Sequence, residues 1–193
     1  MMRIMLAFLF TLLALPALAQ IDPRSPATNA LPSVDVKRTS SSNTSDRVSG
    51  SVLVGEHAPD FGLPLAGGGQ YRLKEARGRW AALFFADRRE DLERLGSIAD
   101  TLESLRIATI AVLDEKVQSL AAWRASTKTS LVAVADETNE ITMMYGLWDH
   151  ELGATRPGLF VLDPLGVVKL ELLGQKVSPM SIRPLVQTAI EGL

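Results

Sequence analysis

The chain has 193 residues, 47% of them hydrophobic and 22% charged, with a formal net charge of -2 and no cysteine. That size and balance fit one folded domain with a sizeable core plus extra segments. The near-neutral charge carries no basic stripe for nucleic acid, and the missing cysteines exclude disulfides, thiolate nucleophiles, CxxC redox pairs and cysteine-bound metals.

The first segment reads MMRIMLAFLFTLLALPALAQ. One cation, Arg3, precedes an apolar run from Ile4 to Leu15, and small residues close the segment before Gln20. This is the pattern of a secretory signal peptide over residues 1–19, cut after Ala19. The run is short for a membrane span, and no later stretch is long and apolar enough to make one. The expectation is an exported protein, periplasmic or secreted. Residues 20–50 are rich in Ser, Thr, Pro and Asn and poor in aromatics. Such a segment buries too little apolar surface to offset its ordering entropy, so it is expected to be a flexible linker.

The folded domain is expected over residues 51–193. A strand is expected at Ser51–Val54, then loops, and a short strand at Gln70–Leu73 after a hairpin turn at Gly67–Gly69. Those glycines lack the Lys and Ser/Thr of a phosphate-binding loop. The apolar run Trp80–Phe85 predicts a buried strand. Leu92, Leu95, Ile98, Ala99, Leu102 and Leu105 recur at helical spacing and predict a helix over about 89–105. Glu90, Asp91 and Glu93 in its first turn suit the helix dipole. Residues 107–113, IATIAVL, are apolar on both faces, as in a central parallel strand. A helix over 115–126 follows, with Val117, Leu120 and Ala121 inward, then a strand at 131–135. A short helix, 139–145, stops at Gly146. Residues 158–162 and 167–172 flank Asp163-Pro164-Leu165-Gly166 and predict an antiparallel hairpin. A last helix carries Leu185, Val186, Ala189 and Ile190. Pro184 fits in a first turn, which favours Ser181 over Ser178 as its cap. The alternating order predicts an α/β domain, a three-layer α/β/α sandwich with a mixed central sheet.

Four stretches in this order resemble the peroxiredoxin-like redoxins, the alkyl hydroperoxide reductase/thiol-specific antioxidant family of the thioredoxin fold. They are VGEHAPDFGLP (54–64), RLKEARGRWAALFFA (72–86), VAVADETNEITMMYGLW (132–148) and TRPGLFVLDPLGVVKLEL (155–172). The resemblance implies a thioredoxin-like fold and a peroxidatic cysteine at a helix N-terminus, its pKa depressed by backbone amides and a nearby arginine. Matched through LFFA, that cysteine falls near Arg94. Matched through a shorter CxxC loop, it falls at Arg89 and Leu92. None of these is cysteine. The resemblance also places Arg156 and Pro157 at the family's arginine and at the cis-proline beside the active site.

Nothing else in the sequence assembles a reaction. Asp149, His150 and Glu151 suggest a metal or base, yet one histidine with adjacent acids is read as a solvated loop. His57 is read as a loop residue, and no nucleophile–base pair can be assigned. Trp148 is read as packing over the closing hairpin, with an exposed contact residue as the alternative. No cofactor and no metal are expected. Two functions remain open: a non-catalytic module binding a protein or peptide near Asp87–Arg94, Arg156 and Pro157, and a family-type antioxidant oxidoreductase reducing peroxides or disulfides. The missing thiol favours the first.

Overall fold

The computed structural model describes residues 52–192. The expected signal segment and linker lie outside the described residues. Of the strand expected at 51–54, the described residues 52–54 form none. Leu53 and Val54 are 41% and 54% exposed, because no layer faces them. Gly55 then turns at φ +92°. The chain joins the sheet only through single contacts, such as Gly55 N–H donating to the Val168 carbonyl at 2.8 Å.

β1 (Gly62–Pro64) and β2 (Gln70–Arg72) pair antiparallel around the glycine turn. Gly68 and Gly69 sit at φ +95° and +81°, where a side chain would be strained. A 3-10 turn, Leu73–Ala76, takes the residue expected to end the strand. Then come β3 (Trp80–Ala86), α1 (Glu90–Ser104), β4 (Ile107–Leu113), α2 (Val117–Ser126), β5 (Val132–Ala135) and α3 (Glu140–Met144). Two short strands, β6 (Trp148–Asp149) and β7 (Ala154–Thr155), form an unanticipated ribbon in which Trp148 is half-buried. β8 (Gly158–Leu162), β9 (Val168–Leu173) and α4 (Pro179–Glu191) complete the domain.

The central sheet has the order β5-β4-β3-β8-β9. β3, β4 and β5 are parallel, while β8 pairs antiparallel with both β3 and β9. This is the expected mixed sheet. Alternation along β3 divides its side chains between two cores. Ala82, Phe84 and Ala86 face α1, α2 and α4. Ala81, Leu83 and Phe85 face α3, the β1–β2 hairpin and the 3-10 turn. In the second core Tyr145 is fully buried, with ring centroids 5.0 Å from Phe85 and 5.1 Å from Phe160. Its hydroxyl donates to the Pro59 carbonyl at 2.8 Å, tying the opening loop to α3. Burial pushes that phenol well above its ordinary pKa.

Three local expectations differ. Ala121 points to solvent, and Trp123 takes the inward place beside Leu120. Leu105 is 42% exposed, because α1 ends at Ser104 and Arg106 turns the chain at φ +61°. α4 starts at Pro179 after Ser178, not at Ser181. Pro179 fills the first helical position, where a missing N–H costs nothing. Pro184 then falls inside the helix. The carbonyl it leaves unpaired belongs to Met180, which is 88% exposed, so water can serve it.

Gly158 is the tightest glycine in the sheet. A Cβ there would lie 2.7 Å from Leu147 Cδ1, and Leu147 is fully buried. Gly158→Ala should therefore cost about 1–3 kcal/mol by overpacking, and Leu147→Ala about 2–5 kcal/mol by its cavity. Urea unfolding of the double variant should show less loss than the sum, since the new methyl fills part of the space. Strict additivity would mean that the two positions do not share that space.

Candidate functional site

Parallel strands end together, so the residues that follow β3, β4 and β5 meet at one sheet edge. Those residues are Asp87, Asp114 and Asp136. β8 runs the other way, and its pairing of Phe85 with Gly158 brings Arg156 and Pro157 to the same edge.

The positions implied for the cysteine hold quite different groups. Arg89 forks onto the Glu115 carboxylate, its Nε 3.1 Å from Oε2. Leu92 is fully buried in the core beneath α1. Arg94 is largely exposed, with Nη1 3.8 Å from Asp91 Oδ1. The structure does not bring these three side chains together.

Lys176 lies across this edge, and the sequence reading missed it. Its Nζ is 2.8 Å from Asp87 Oδ1 and 3.1 Å from Asp91 Oδ2. Partial burial is the largest single effect on Asp87 and opposes its ionisation, but the hydrogen bonds from Lys176 and its other neighbours, with the Lys176 charge, together outweigh it and hold the carboxyl below its usual range. The same bond raises the Lys176 pKa. The only sequence hint was a cation just past the last strand.

Arg156 and Pro157 do arrive together beside Asp87. The Arg156–Pro157 peptide bond is trans, as are all the described bonds, where the resemblance implies a cis-proline. The chain here is tied on both sides: Arg156 N–H donates to the Leu147 carbonyl at 2.7 Å and Gly174 N–H to the Pro157 carbonyl at 2.8 Å. Arg156 Nε and Nη2 both donate to Asp149 Oδ2, at 3.0 and 2.8 Å. Asp149 Oδ1 accepts the N–H groups of Glu151 and Leu152 at 2.9 and 3.0 Å. The Leu152 amide and the guanidinium hold this carboxyl below the usual range. Asp149 is therefore a buried ion partner rather than part of a solvated loop, while His150 and Glu151 are exposed as expected.

Two hollows flank this cluster and share Pro157. A cavity of about 60 Å³ has an apolar floor that includes Phe84, Leu95, Gly158 and Ile182, with Arg94 and Lys176 at its rim. An open cleft of about 450 Å³ includes Arg88, Asp114, Asp149, Thr155 and Arg156. Thr155 is 8% exposed, and its hydroxyl has no partner among the described residues. Asp114 is crowded by acids. Burial first, then the charges of Asp136 and Glu115, raise its pKa against the stabilising amide of Asn139. That amide donates at 3.1 Å in the orientation that satisfies both its atoms.

A model of the AhpC/TSA family matches residues 54–171. A peroxiredoxin of Thermoplasma volcanium is 28% identical over 140 residues, 61% of this chain and 64% of that relative. This chain thus spans a little under two thirds of that relative's length. Among solved structures, peroxidoxin BcpB of Mycobacterium tuberculosis superposes with a TM-score of 0.62 at 17% identity, covering 72% of this chain and 97% of that one. AhpC of Enterococcus faecalis gives 0.61 at 19% identity, covering 72% and 93%. At such identities these two show the fold.

The two aspartates should respond to pH in opposite directions. Asp149 has a depressed folded pKa, so its stabilisation is full above the unfolded value, 3.8, and is lost as pH falls through the lower folded value. Asp114 has a raised folded pKa, so its ionisation costs stability above that pKa and the cost disappears below 3.8. Asp149→Asn should lower the urea midpoint at neutral pH, and Asp114→Asn should raise it. Both differences should shrink by about pH 3. Matching signs for the two variants would contradict this electrostatic account.

Proposed function

The chain belongs to the AhpC/TSA family, and from a member without a single cysteine we infer a non-catalytic binding protein of an exported compartment. Peroxide reduction moves two electrons from a thiolate and leaves a sulfenate that another thiol must reduce. No residue of this chain can begin that cycle. Methionine can be oxidised, but it needs an external reductase to return.

The observation that carries the reading is the partner of Arg156. An arginine that steadies a thiolate must present its donors to the reacting atom. Here two of those donors are spent on Asp149 of the same chain. The helix N-terminus beside it is likewise occupied, with Asp91 in the first turn of α1, Asp87 just before it, and Lys176 bridging both. What remains at the edge is a surface of fixed charges and two hollows, suited to holding a protein or peptide near Asp87–Arg94, Arg156 and Pro157. Family membership supports the second reading, peroxide or disulfide reduction, and the missing thiol opposes it. Export rests on the sequence pattern of residues 1–19.

The mature protein offered hydrogen peroxide or an organic hydroperoxide, with thioredoxin or dithiothreitol as reductant, should turn over no faster than the blank. Turnover above it would sink the binding reading. A photo-crosslinker placed at Arg88 should capture a defined partner in the exported fraction, whereas one at Lys169 on the far edge strand should not. Mass spectrometry of the exported protein should give Gln20 as the first residue. An intact Met1 in that fraction would refute cleavage.

A further inference from the structure

We propose that the cleft beside Pro157 takes an extended peptide carrying one short aliphatic side chain and one lysine or arginine, the aliphatic group entering the 60 Å³ cavity and the cation meeting Asp114. This rests on the binding reading above and gives it a ligand class.

The charge pattern selects a cation. Asp149 is neutralised by Arg156, Asp87 by Lys176, and Glu115 by Arg89. Asp136 is saturated by the Ile141 and Thr142 amides and the Thr142 hydroxyl. Neither Asp136 nor Asp114 has a cation within ion-pair distance among the described residues, but Asp136 already holds three hydrogen bonds within the fold, whereas Asp114 has only the Asn139 amide. It lies in the cleft wall with Asp136 and Glu115 close enough to act on it. A ligand ammonium or guanidinium there would relieve like-charge crowding as well as form a charge-assisted hydrogen bond.

An anionic ligand is the weaker choice. Arg156 has already spent Nε and Nη2 on Asp149. Arg88 approaches only Asp87, at 3.9 Å, but its side chain is 70% exposed. Asp114 is also open to water, which limits either charge, but Asp114 has the like charges of Asp136 and Glu115 acting on it, so a cation there gains more.

The peptide would be read through side chains rather than by strand addition. Thr155 is already paired with Trp148, and the Arg156 N–H and Pro157 carbonyl are taken within the chain. The unpartnered Thr155 hydroxyl is then the polar group left to meet a ligand in the cleft. The cavity's volume suits a few waters or one short alkyl group. Its floor of Phe84, Leu95 and Ile182 favours the alkyl group.

The test titrates the full mature protein, amide-labelled, with capped peptides that hold one leucine and one lysine separated by one, two or three glycines. At least one should shift the Asp114, Gly153 and Gly158 amides with a Kd of about 1 mM or tighter. Norleucine for lysine, or alanine for leucine, should weaken binding about five-fold or more. Asp114→Asn, expected to fold at least as stably, should bind the lysine and norleucine peptides alike. No shift with any spacing, no lysine preference in the native protein, or tighter binding of the glutamate counterpart would overturn the proposal. If the crosslink at Arg88 still captured a partner, only this ligand class would fall. Peroxide turnover would remove the binding reading itself.

Discussion

The pairing of β3 with β4 on one side and β8 on the other is the constraint from which the rest of the molecule follows. β3 is buried on both faces, so its residues must be apolar and its backbone groups must be paired along both edges. Its end at Ala86 is then fixed, and the first polar residue, Asp87, emerges where β4 releases Asp114. Because β8 runs antiparallel, its beginning lies at that same edge, which puts Pro157 beside Asp87. Gly158 completes the arrangement: pairing with Phe85 leaves Leu147 against it, with no room for a side chain. The Leu147 carbonyl in turn holds the Arg156 N–H. Packing in the second core thus aims the arginine.

Topology of this kind brings charges together without choosing their sign. An edge built to stabilise an anion would leave the helix N-terminus and the arginine free. This edge instead meets each positive element with a carboxylate of its own: Asp149 on Arg156, Glu115 on Arg89, Asp87 and Asp91 on Lys176. Most of these pairs lie partly in water, and such contacts add little to stability. Their consequence is for recognition, because they leave the crowded carboxylate of Asp114 as the group with the most to gain from a ligand.

The strands of the central sheet were legible because burial on two faces leaves continuous apolar runs. Residues 107–113 and 158–162 were read to the residue, and 80–85 to within one. The helices were legible through spacing. Their ends were not, since Pro179 and Pro184 compete for the first turn and only packing of Ile182, Val186 and Ala189 decides. The opening strand failed for the converse reason: Val52 is buried but Leu53 and Val54 stay exposed, and apolar residues look like a strand whether or not a layer covers them. At the site, the fold resemblance located Arg156 and Pro157, but the charge partners were invisible. Lys176 reaches Asp91 across 85 residues. Asp149 looked solvated because its sequence neighbours, His150 and Glu151, are solvated, while β6 turns its own side chain inward.

The double duty of Asp149 bears on how far this molecule stands from thiol chemistry. One carboxylate oxygen accepts both donors of Arg156, and the other holds the Glu151 and Leu152 amides that shape the turn between β6 and β7. Freeing the arginine for a reacting anion would therefore also release that turn, which forms part of the cleft through Leu152, Gly153 and Ala154. Adding a cysteine at the start of α1 would supply a nucleophile facing an arginine already neutralised. Removing Asp149 as well would free the guanidinium but loosen the wall that positions it. The two changes conflict because a single side chain serves both charge balance and local structure. The occupied state of Arg156 is in this sense built into the fold of the β6–β7 ribbon, apart from the identity of any residue at the start of α1.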